Sequence, residues 1–539
     1  MRPNGASGDD PAQEVLPRHL RALLTPAAYP HPAESVQPVQ THVSWVLLSG
    51  RFAYKIKRPV RYPFVDLRSA ERRAFLCREE LRLNRRFAPE LYLDVCDITS
   101  DDGEARIGGE GAVIEHAVRM VRFDREDELD RMLAAGRVEP AALEAFGRSL
   151  ADIHSRLPVV AADAPWGRAD RIASLVLENL EQSVEACAPF GDAAGLRALG
   201  GNLSQRLERA APSFAARRAA GRVRECHGDL HARNVVMHDG RLLAFDCMEF
   251  SEEFRWIDVA DEIAFLIADL EALGHPAHAH AFRGGYLARS GDYDACRVLD
   301  VYQAHRALVR AKVTALGWTD VARTREVDLG LARRQCETHA AVARAALAPR
   351  RGHIVLMGGL SGSGKTWLAS RLAPLLGAIH LRSDVERKRL AGLPETARTG
   401  SPVRQGLYAP EVSTRVHERL AECTAQVLAG GYPAIVDASF GRREDRARFH
   451  ALAQRLDVPL RLLQCRASPQ ELRRRVAQRH ALATDASEAD LAVLRWQEDH
   501  AEPVDPGEGL AALEVDTTKC DPDPSIGALV ADLDPAARA

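Results

Sequence analysis

Two stretches of this chain combine residue types and spacings that suit phosphate chemistry. The first, GLSGSGKT, satisfies the pattern G-x-x-x-x-G-K-[ST]. In such a loop the glycines let backbone N–H groups converge on phosphate oxygens, the lysine ammonium reaches the β- and γ-phosphates, and the threonine hydroxyl faces Mg2+. The pattern predicts a phosphate-binding loop made of Gly359, Leu360, Ser361, Gly362, Ser363, Gly364, Lys365 and Thr366.

Two carboxylates downstream of this loop come after short apolar stretches that predict strands. Ligands of open α/β sheets bind at the carboxyl ends of the strands, so both side chains are expected near the phosphates. Asp384 is predicted to accept the proton of an attacking hydroxyl or to help hold Mg2+, and a plain helix cap is the alternative. Asp437 is predicted to bind the metal through water.

A strongly basic helix is predicted further along the same half of the chain. It either closes over the transferred phosphate or presents a solvated charged face, and the sequence leaves both interpretations open. Its basic residues are Arg473, Arg474, Arg475 and Arg479.

The second stretch is HGDLHARN, at residues 227–234, which has the spacing H-x-D-x-x-x-x-N of a kinase catalytic loop. Asp229 is predicted to accept the proton of an acceptor hydroxyl, while Asn234 faces a Mg2+ ion on the phosphates. His227 would hold the loop in shape. Asp246 ends an apolar strand shortly afterwards, and the same pattern predicts that it supplies the second metal contact.

A lysine upstream of this loop completes the second pattern. Residues 52–55, FAYK, match a strand of the V-A-I-K type, so Lys55 is predicted to reach the α- and β-phosphates. Lys57 lies on the same strand face, because side chains alternate with period 2, and it is the alternative. The ion-pair partner is predicted on the next helix, where Glu80 has the better apolar spacing and Glu79 is the alternative.

Lysine is scarce in this chain, which has 72 basic residues. Only six of them are lysine, and four of the six lie in the segments described above, since Lys388 follows Asp384 closely. A compact ammonium differs from a guanidinium in its chemistry, so its retention in these segments supports a phosphate-binding role. The six are Lys55, Lys57, Lys312, Lys365, Lys388 and Lys519.

The elements that position these residues differ between the two halves. Before the catalytic-loop pattern, a hairpin at 43–57, a helix at 69–87 and strands at 91–98 and 112–123 predict a small antiparallel lobe, which helices follow. After residue 352, strands alternate with helices, which predicts a parallel sheet. The predicted division is a flexible N-terminal arm at 1–36, a first domain at 37–347, a second domain at 352–510 and a C-terminal tail at 511–539.

Composition narrows the class of protein. Hydrophobic residues make up 46% and charged residues 27%, which excludes disordered, collagen-like and coiled-coil classes. The net charge of -3 provides no chain-wide basic field for nucleic acid. Ten cysteines without paired spacing favour reduced thiols over disulfides or zinc, and no apolar run reaches the roughly 18 residues of a membrane span. We therefore expect a cytoplasmic protein without a membrane partner.

The first half resembles the aminoglycoside phosphotransferase and choline kinase superfamily over roughly residues 40–345. The resemblance rests on FGRSLADIHSRLP at 146–158, CHGDLHARN at 226–234 and FDCMEF at 245–250. It implies an α+β, protein-kinase-like bilobal domain that phosphorylates a hydroxyl of a small molecule with Mg-ATP. Two departures stand out: no G-x-G-x-x-G loop is present, so residues 40–44 are expected to cover the phosphates, and Asp246-Cys247-Met248 replaces D-F-G.

The resemblance leaves the acceptor of this half open. Four carboxylates downstream of the catalytic loop either attract a cationic acceptor, such as an aminoglycoside or choline, or belong to an ordinary helix. They are Asp258, Asp261, Glu262 and Asp269.

The second half resembles the small P-loop kinases of the AAA_33 group, which are similar to polynucleotide 5'-kinases and zeta-toxin kinases. The resemblance rests on GLSGSGKT, on RSDVERKRL at 382–390 and on IVDASF at 435–440. It implies an α/β P-loop NTPase domain with a mainly parallel sheet, and it assigns the general base to Asp384.

Together the halves resemble the bifunctional aminoglycoside phosphotransferase/ATP-binding proteins. The resemblance implies two ATP- and Mg2+-dependent kinase sites with unidentified acceptors: a small-molecule hydroxyl for the first, and a nucleic-acid end or a nucleotide sugar for the second. Two alternatives stay open. One half is an ATP-binding sensor that regulates the other, or the P-loop half is a nucleic-acid 5'-hydroxyl kinase.

Overall fold

The computed structural model describes residues 16–518 and 524–533, except 63–64, 102, 192, 323–327, 402–403 and 483–484. Contacts within the chain divide it into two compact units. The first unit comprises Met1–Ala142, Ile153–Arg171 and Arg217–Asp269, and the second comprises Leu143–Asp152, Ile172–Ala216 and Leu270–Ala539. Each predicted phosphate-handling segment therefore lies inside one unit.

A six-stranded antiparallel sheet forms the beginning of the first unit, with the strand order β1-β2-β3-β8-β6-β7. The predicted hairpin is confirmed, because β2 and β3 pair across a tight turn at Gly50. A two-stranded β4-β5 hairpin lies outside this sheet. The strands are β1 (Val36–Gln40), β2 (Ser44–Ser49), β3 (Phe52–Lys57), β4 (Arg61–Tyr62), β5 (Val65–Asp66), β6 (Tyr92–Asp101), β7 (Glu104–Ile107) and β8 (Ala112–Val121).

The stretch at 1–36, predicted as a flexible arm, is ordered where the structure describes it. Two 3-10 helices, Arg18–Leu24 and Pro26–Ala28, follow the undescribed residues 1–15. Leu16, Leu20 and Leu23 are buried and pack in one cluster with apolar residues of the sheet. Burying each leucine stabilises the fold by about 1.5–3 kcal/mol, which explains why this segment adheres to the sheet.

Helix α1 (Ala70–Asn84) follows the small hairpin, and Ser69 caps it by accepting a hydrogen bond from the N–H of Arg72. Two short antiparallel pairs come later in the first unit: β9 (Val223–Glu225) with β12 (Trp256–Asp258), and β10 (Val235–His238) with β11 (Arg241–Ala244). The segment 227–234 lies between β9 and β10, and Asp246 follows β11. These short strands therefore fix both ends of the predicted catalytic loop.

The chain between the two sheets is largely helical, as predicted. Gly147 in α3 and Gly285 in α8 permit a close approach, because a Cβ on Gly285 would lie 2.2 Å from the carbonyl oxygen of Glu144. The helices are α2 (Leu129–Ala134), α3 (Pro140–Arg156), α4 (Ala169–Cys187), α5 (Ala193–Ala219), α6 (Glu252–Arg255), α7 (Val259–Ala272), α8 (Pro276–Ser290), α9 (Leu299–Ala322) and α10 (Leu329–Ala346).

A five-stranded sheet, entirely parallel and ordered β14-β15-β13-β16-β17, belongs to the second unit and confirms the predicted parallel sheet. Its strands are β13 (Ile354–Gly358), β14 (Ile379–Arg382), β15 (Ala434–Asp437), β16 (Leu460–Arg466) and β17 (Ala511–Asp516). Its helices are α11 (Lys365–Leu376), α12 (Ser383–Leu390), α13 (Pro410–Ala429), α14 (Arg443–Leu456), α15 (Pro469–Leu482), α16 (Leu491–His500) and α17 (Pro524–Leu533).

The stretch at 511–539, predicted as a separate tail, contributes to this sheet in its described part. Strand β17 pairs with β16 along its whole length. Helix α17 then buries Ile526, Leu529 and Leu533 in the cluster that contains Val355 and Leu368. These apolar side chains explain the difference, because they complete the core of the parallel sheet.

Across the described ranges, none of the helices combines the length and the apolar character that a bilayer span requires.

Candidate active sites

The lysine site of the first unit is a buried network of charges. The Nζ of Lys55 lies 2.8 Å from Oε1 of Glu80 and also contacts Oδ1 of Asp246. The Nζ of Lys57 lies 2.5 Å from the other oxygen of Glu80 and contacts Glu249. Of the two alternative carboxylates, the structure therefore places Glu80 against Lys55, while Glu79 pairs with an arginine on its own helix.

The network keeps Glu80 ionised although no part of it is exposed. Burial alone opposes ionisation, but the ammonium groups of Lys55 and Lys57 outweigh it and lower the pKa of Glu80 to about 2. The pKa of Lys55 is raised well above its usual value, because Asp246 and Glu80 outweigh the opposing effect of burial. Both strand lysines therefore carry their charge.

The predicted catalytic loop is tied together by its own polar groups. The side-chain amide of Asn234 donates to Oδ2 of Asp229 at 3.1 Å and to the carbonyl of Asp229 at 2.9 Å. The Nδ1 of His227 accepts from the N–H of Asp229 at 3.3 Å, so its Nε2 carries the proton and donates to the carbonyl of Phe245 at 2.8 Å. Burial lowers the pKa of His227 to about 4, which keeps this tautomer neutral.

Helix α7 holds the loop from behind through two carboxylates. Glu262 accepts from the N–H groups of His227, at 2.6 Å, and Gly228, at 3.0 Å, while Asp269 accepts from Ala232 at 2.9 Å. Asp258 pairs with Arg217 at 2.8 Å. All four carboxylates of the sequence alternative, with Asp261 as the fourth, are buried, and these three bind groups of the protein itself, which favours the alternative of ordinary packing over attraction of a cationic acceptor.

Asp246 has an unusual backbone. Its φ is +66°, a left-handed value that is uncommon for residues other than glycine, although aspartate adopts it more readily than most. Its N–H donates to the hydroxyl of Tyr92 at 3.0 Å, and the next N–H, of Cys247, donates to Asn84 at 2.9 Å. The backbone is thus held from α1 and β6, and the Asp246 carboxylate remains 43% exposed.

The phosphate-binding pattern forms a loop between β13 and α11. Its glycines Gly362 and Gly364 have φ values of +82° and +85°, and a Cβ on Gly362 would lie 2.8 Å from the carbonyl of Leu472. The Nζ of Lys365 donates to the carbonyls of Gly359, at 2.8 Å, and Leu360, at 2.9 Å. Burial lowers the pKa of Lys365, and Asp437 opposes this shift.

Asp437, at the end of β15, joins this loop directly. Its Oδ2 accepts from the hydroxyl of Thr366 at 2.6 Å and lies 3.3 Å from Nε2 of His380. Burial raises the pKa of this carboxyl, but the hydrogen bond with His380 and the positive charges of His380, Lys365 and Arg382 outweigh burial and lower the pKa to about 2. Hydroxyl and carboxylate oxygens of this kind suit Mg2+.

Asp384 lies in the first turn of α12, which begins at Ser383. The N-cap position is Arg382, and its side chain makes no capping hydrogen bond, so Asp384 does not occupy the cap of this helix. It interacts electrostatically with Lys365 and Arg382. The structure therefore brings Asp384, Lys365, Thr366 and Asp437 to one edge of the parallel sheet.

Two residues on β14 were missed from the sequence. His380 contacts Asp437, and Arg382 lies 3.2 Å from both carboxylate oxygens of Asp485. The signal was present, because the strand alternates apolar Ile379 and Leu381 with these two polar residues.

The four arginines of the basic helix α15 lie in two settings. Arg473 and Arg474 are exposed, as the solvated-face alternative predicts, whereas Arg475 and Arg479 are partly buried. Arg474 and Arg475 both pair with Glu471 at 2.7 Å. Arg475 also donates to Gly362 O, at 3.4 Å, and to the hydroxyl of Thr517, at 2.8 Å, so it supports the phosphate-binding loop. Arg479 is near enough to Lys365 to lower its pKa.

Comparisons with known proteins cover both halves. Residues 58–299 match the family model described as the phosphotransferase enzyme family, and residues 354–504 match the one described as the AAA domain. Uncharacterized proteins of Mycobacterium tuberculosis and Mycobacterium bovis are each 30% identical over 465 residues, which is 84% of this chain and 88% of theirs.

Solved structures show more distant likenesses. A choline kinase from Cryptosporidium parvum Iowa II is 11% identical and covers 60% of this chain and 93% of its own, with a TM-score of 0.35. A gluconokinase from Sinorhizobium meliloti 1021 is 21% identical and covers 35% of this chain and 90% of its own, with a TM-score of 0.23.

Proposed function

This chain belongs to the family of kinase-type phosphotransferases that join a phosphotransferase-enzyme-family domain to an AAA-type P-loop domain, and from that premise we propose that it carries two separate ATP-dependent kinase sites. Each site transfers the γ-phosphate of Mg-ATP to a hydroxyl acceptor. The observation that carries the proposal is that each predicted set of residues lies in one compact unit, with Lys55 against Glu80 and Asp246 in the first and Thr366 bonded to Asp437 in the second.

In the first site, Lys55 binds the α- and β-phosphates and Glu80 orients it, which the 2.8 Å ion pair supports. Asn234 and Asp246 offer oxygen ligands that fit Mg2+, and an ion held there would neutralise charge on the phosphates. Asp229 accepts the proton of the acceptor hydroxyl, and the hydrogen bond from Asn234 positions its carboxylate.

In the second site, the backbone of residues 359–366 binds the phosphates and Lys365 reaches the β- and γ-phosphates. Thr366 and Asp437 offer the oxygen ligands for Mg2+, the second of them through water. Asp384 accepts the proton of the acceptor hydroxyl, and its interaction with Lys365 supports a place beside the phosphates. Catalysis at both sites rests on positioning and charge neutralisation, without a covalent intermediate.

The acceptor of the first site is a small molecule with a free hydroxyl, and that of the second is a nucleic-acid end, a nucleotide sugar or another hydroxyl compound. Internal pairing of Arg474 and Arg475 with Glu471 leaves fewer free cations for a nucleic-acid backbone. The cytoplasmic location stays a prediction.

The test is transfer of label from γ-labelled Mg-ATP into a panel of aminoglycosides, amino alcohols, nucleosides, 5'-hydroxyl oligonucleotides and nucleotide sugars. The full chain is compared with Asp229→Asn and Lys365→Ala, and Lys312→Ala serves as a lysine control outside both motifs. We expect each of the first two variants to lose a different labelled product. If both lose the same product, or one loses nothing, the sensor alternative replaces the proposal.

A further inference from the structure

One side chain from outside the phosphate-binding loop accepts a hydrogen bond from a backbone N–H group of that loop. The N–H of Ser361 donates to Oε1 of Gln497 at 2.8 Å. Gln497 lies on α16, whose start is fixed by Asp490, which accepts from the N–H groups of Ala492 and Val493 at 2.9 Å each. A glutamine on a helix thus reaches the loop that the proposed function assigns to ATP.

The other side chains that support this loop, within the described residues, bind its carbonyl groups. Thr517 donates its hydroxyl hydrogen to the carbonyl of Ser363 at 2.8 Å, and Arg475 donates to the carbonyl of Gly362. Such contacts shape the loop without using its N–H groups, which are the groups that bind phosphate. Gln497 differs, because it accepts from an N–H.

Ser361 lies in the part of the loop that the Lys365 ammonium contacts. Lys365 Nζ donates to the carbonyl of Leu360, the residue that precedes Ser361, at 2.9 Å. Since this ammonium reaches the β- and γ-phosphates, the Gln497 amide stands beside the terminal part of the triphosphate site.

Helix α16, which carries this amide, is anchored against α15. Leu494, three residues before Gln497 and so on the same helix face, is 1% exposed and packs with Leu472 and Val476 of α15. Oε1 is engaged by Ser361, whereas Nε2 has no hydrogen-bond partner within the described part of the chain and is a donor next to the loop. A fixed donor beside a developing negative charge needs little reorganisation when the phosphate arrives.

We propose that Gln497 is a phosphate-contacting residue of the P-loop site: its Oε1 positions the N–H of Ser361, and its Nε2 donates to an oxygen of the γ-phosphate. The inference rests on the proposed function of this site. The site then consists of the phosphate-binding loop, Asp437, Asp384 and Gln497 of α16. Because Gln497 would contact the γ-phosphate, it would distinguish ATP from ADP.

The test compares Gln497→Glu with Gln497→Met in the full chain. Both variants also carry Asp246→Asn, which is expected to weaken nucleotide binding at the first site, so that the measured binding reports on the P-loop site. Glutamate keeps the acceptor for the Ser361 N–H but loses the donor and adds negative charge. Methionine keeps the size and loses both polar atoms. Affinity for AMP-PNP and for ADP, each with Mg2+, is measured by titration calorimetry, and melting temperatures report on folding.

We expect Gln497→Glu to weaken AMP-PNP binding by about tenfold or more and Gln497→Met by about threefold to tenfold, with ADP affinity changed less than twofold in Gln497→Met. If Gln497 only supports the loop, the order of the two variants is reversed. Gln497→Glu then binds AMP-PNP as wild type does, and Gln497→Met binds AMP-PNP and ADP with equally weakened affinity. That result overturns the inference. Lys365→Ala in the same background separates the two failures. If it leaves AMP-PNP binding intact, the proposed P-loop ATP site is wrong, whatever the Gln497 variants do.

Discussion

The hydroxyl of Thr366 donates to Oδ2 of Asp437 at 2.6 Å, although 71 positions separate the two residues in the chain. Thr366 stands at the start of α11 and Asp437 at the end of β15, next to β13 in the parallel sheet. The sheet therefore delivers the two predicted Mg2+ ligands to one point. Asp437 is 5% exposed, so its carboxylate lies almost entirely inside the protein at this point.

Replacing Asp437 tests the metal role. Asp437→Asn keeps the side-chain volume and a hydrogen bond to Thr366 but removes the charge that attracts Mg2+. We expect activity of the P-loop site to fall by about 10- to 100-fold, with recovery at raised Mg2+ concentration. Steady-state rates over a Mg2+ series check this. Asp457→Asn, at an exposed position after α14, is the control, and an Asp437→Asn loss that Mg2+ does not relieve would contradict the metal role.

The sequence could predict those site residues that belong to a short motif, but not those that tertiary packing brings to the site. The loop at 359–366 and the segment 227–234 were predictable, because the chemistry requires a fixed spacing inside one short stretch. Glu249 was not, since it meets Lys57 from a position 192 residues away. Such a contact is decided by how β3 and the chain after β11 pack together.

The same reasoning applies to the fold. Strand alternation with helices predicted the parallel sheet, but β17 was missed because five of its six residues are exposed and carry little apolar alternation. Strand β1 was missed as well: Pro38 interrupts its pattern, and an edge strand tolerates proline where an inner strand does not.

Substitutions of Lys57 and Lys55 are expected to have different effects, the first on stability and the second on activity. Lys57 is 1% exposed and its loss leaves Glu249 and one oxygen of Glu80 buried without their cation. Removing one partner of a buried ion pair costs about 3–5 kcal/mol, so Lys57→Ala should lower the melting temperature markedly. Lys55→Ala should instead abolish activity of the first site.

The double variant Lys57→Met with Glu249→Gln is the control for this pair. It removes both charges together, so part of the lost stability should return. Calorimetric melting of the three variants checks the prediction. A double variant that is less stable than Lys57→Ala would show that the unpaired charge of Glu249 is not what destabilises Lys57→Ala.

Glu225 is expected to make the first unit sensitive to acid. It lies two residues before the segment 227–234 and pairs with Arg82 at 2.8 Å, Arg86 at 2.9 Å and Arg255 at 3.1 Å. Burial opposes its ionisation, but the three guanidinium groups lower its pKa to about 2. A depressed carboxyl pKa contributes stability that is present above the unfolded-state value near 4.3 and is lost as the pH falls toward about 2.

Because the partner Arg82 is 46% exposed, solvent screens part of the interaction and reduces this contribution to about 1–2 kcal/mol. Glu225→Gln should therefore be less stable than wild type at pH 7, and the difference should shrink as the pH falls from about 4.3 to about 2. Urea unfolding at a series of pH values measures it. Equal acid sensitivity in both proteins would mean that the arginine contacts do not hold this carboxylate ionised.

Glu386 is expected to act on the second site without touching ATP. It lies two residues after Asp384 on α12, is fully buried, and accepts from the Nε of Arg389 at 3.1 Å and the hydroxyl of Tyr293 at 3.2 Å. These bonds fix the helix that presents Asp384, whereas the phosphate-binding loop leads into α11. Glu386→Gln should thus reduce kcat of the P-loop site by about tenfold and leave KM for ATP nearly unchanged.

Tyr293→Phe provides the graded comparison, because it removes one hydrogen bond and keeps the ring in place. We expect it to lower kcat by a smaller factor, with the same unchanged KM for ATP. Initial rates at saturating acceptor, with melting temperatures beside them, separate positioning from loss of fold. A rise in KM for ATP at constant kcat would place Glu386 among the supports of nucleotide binding and contradict its action through Asp384.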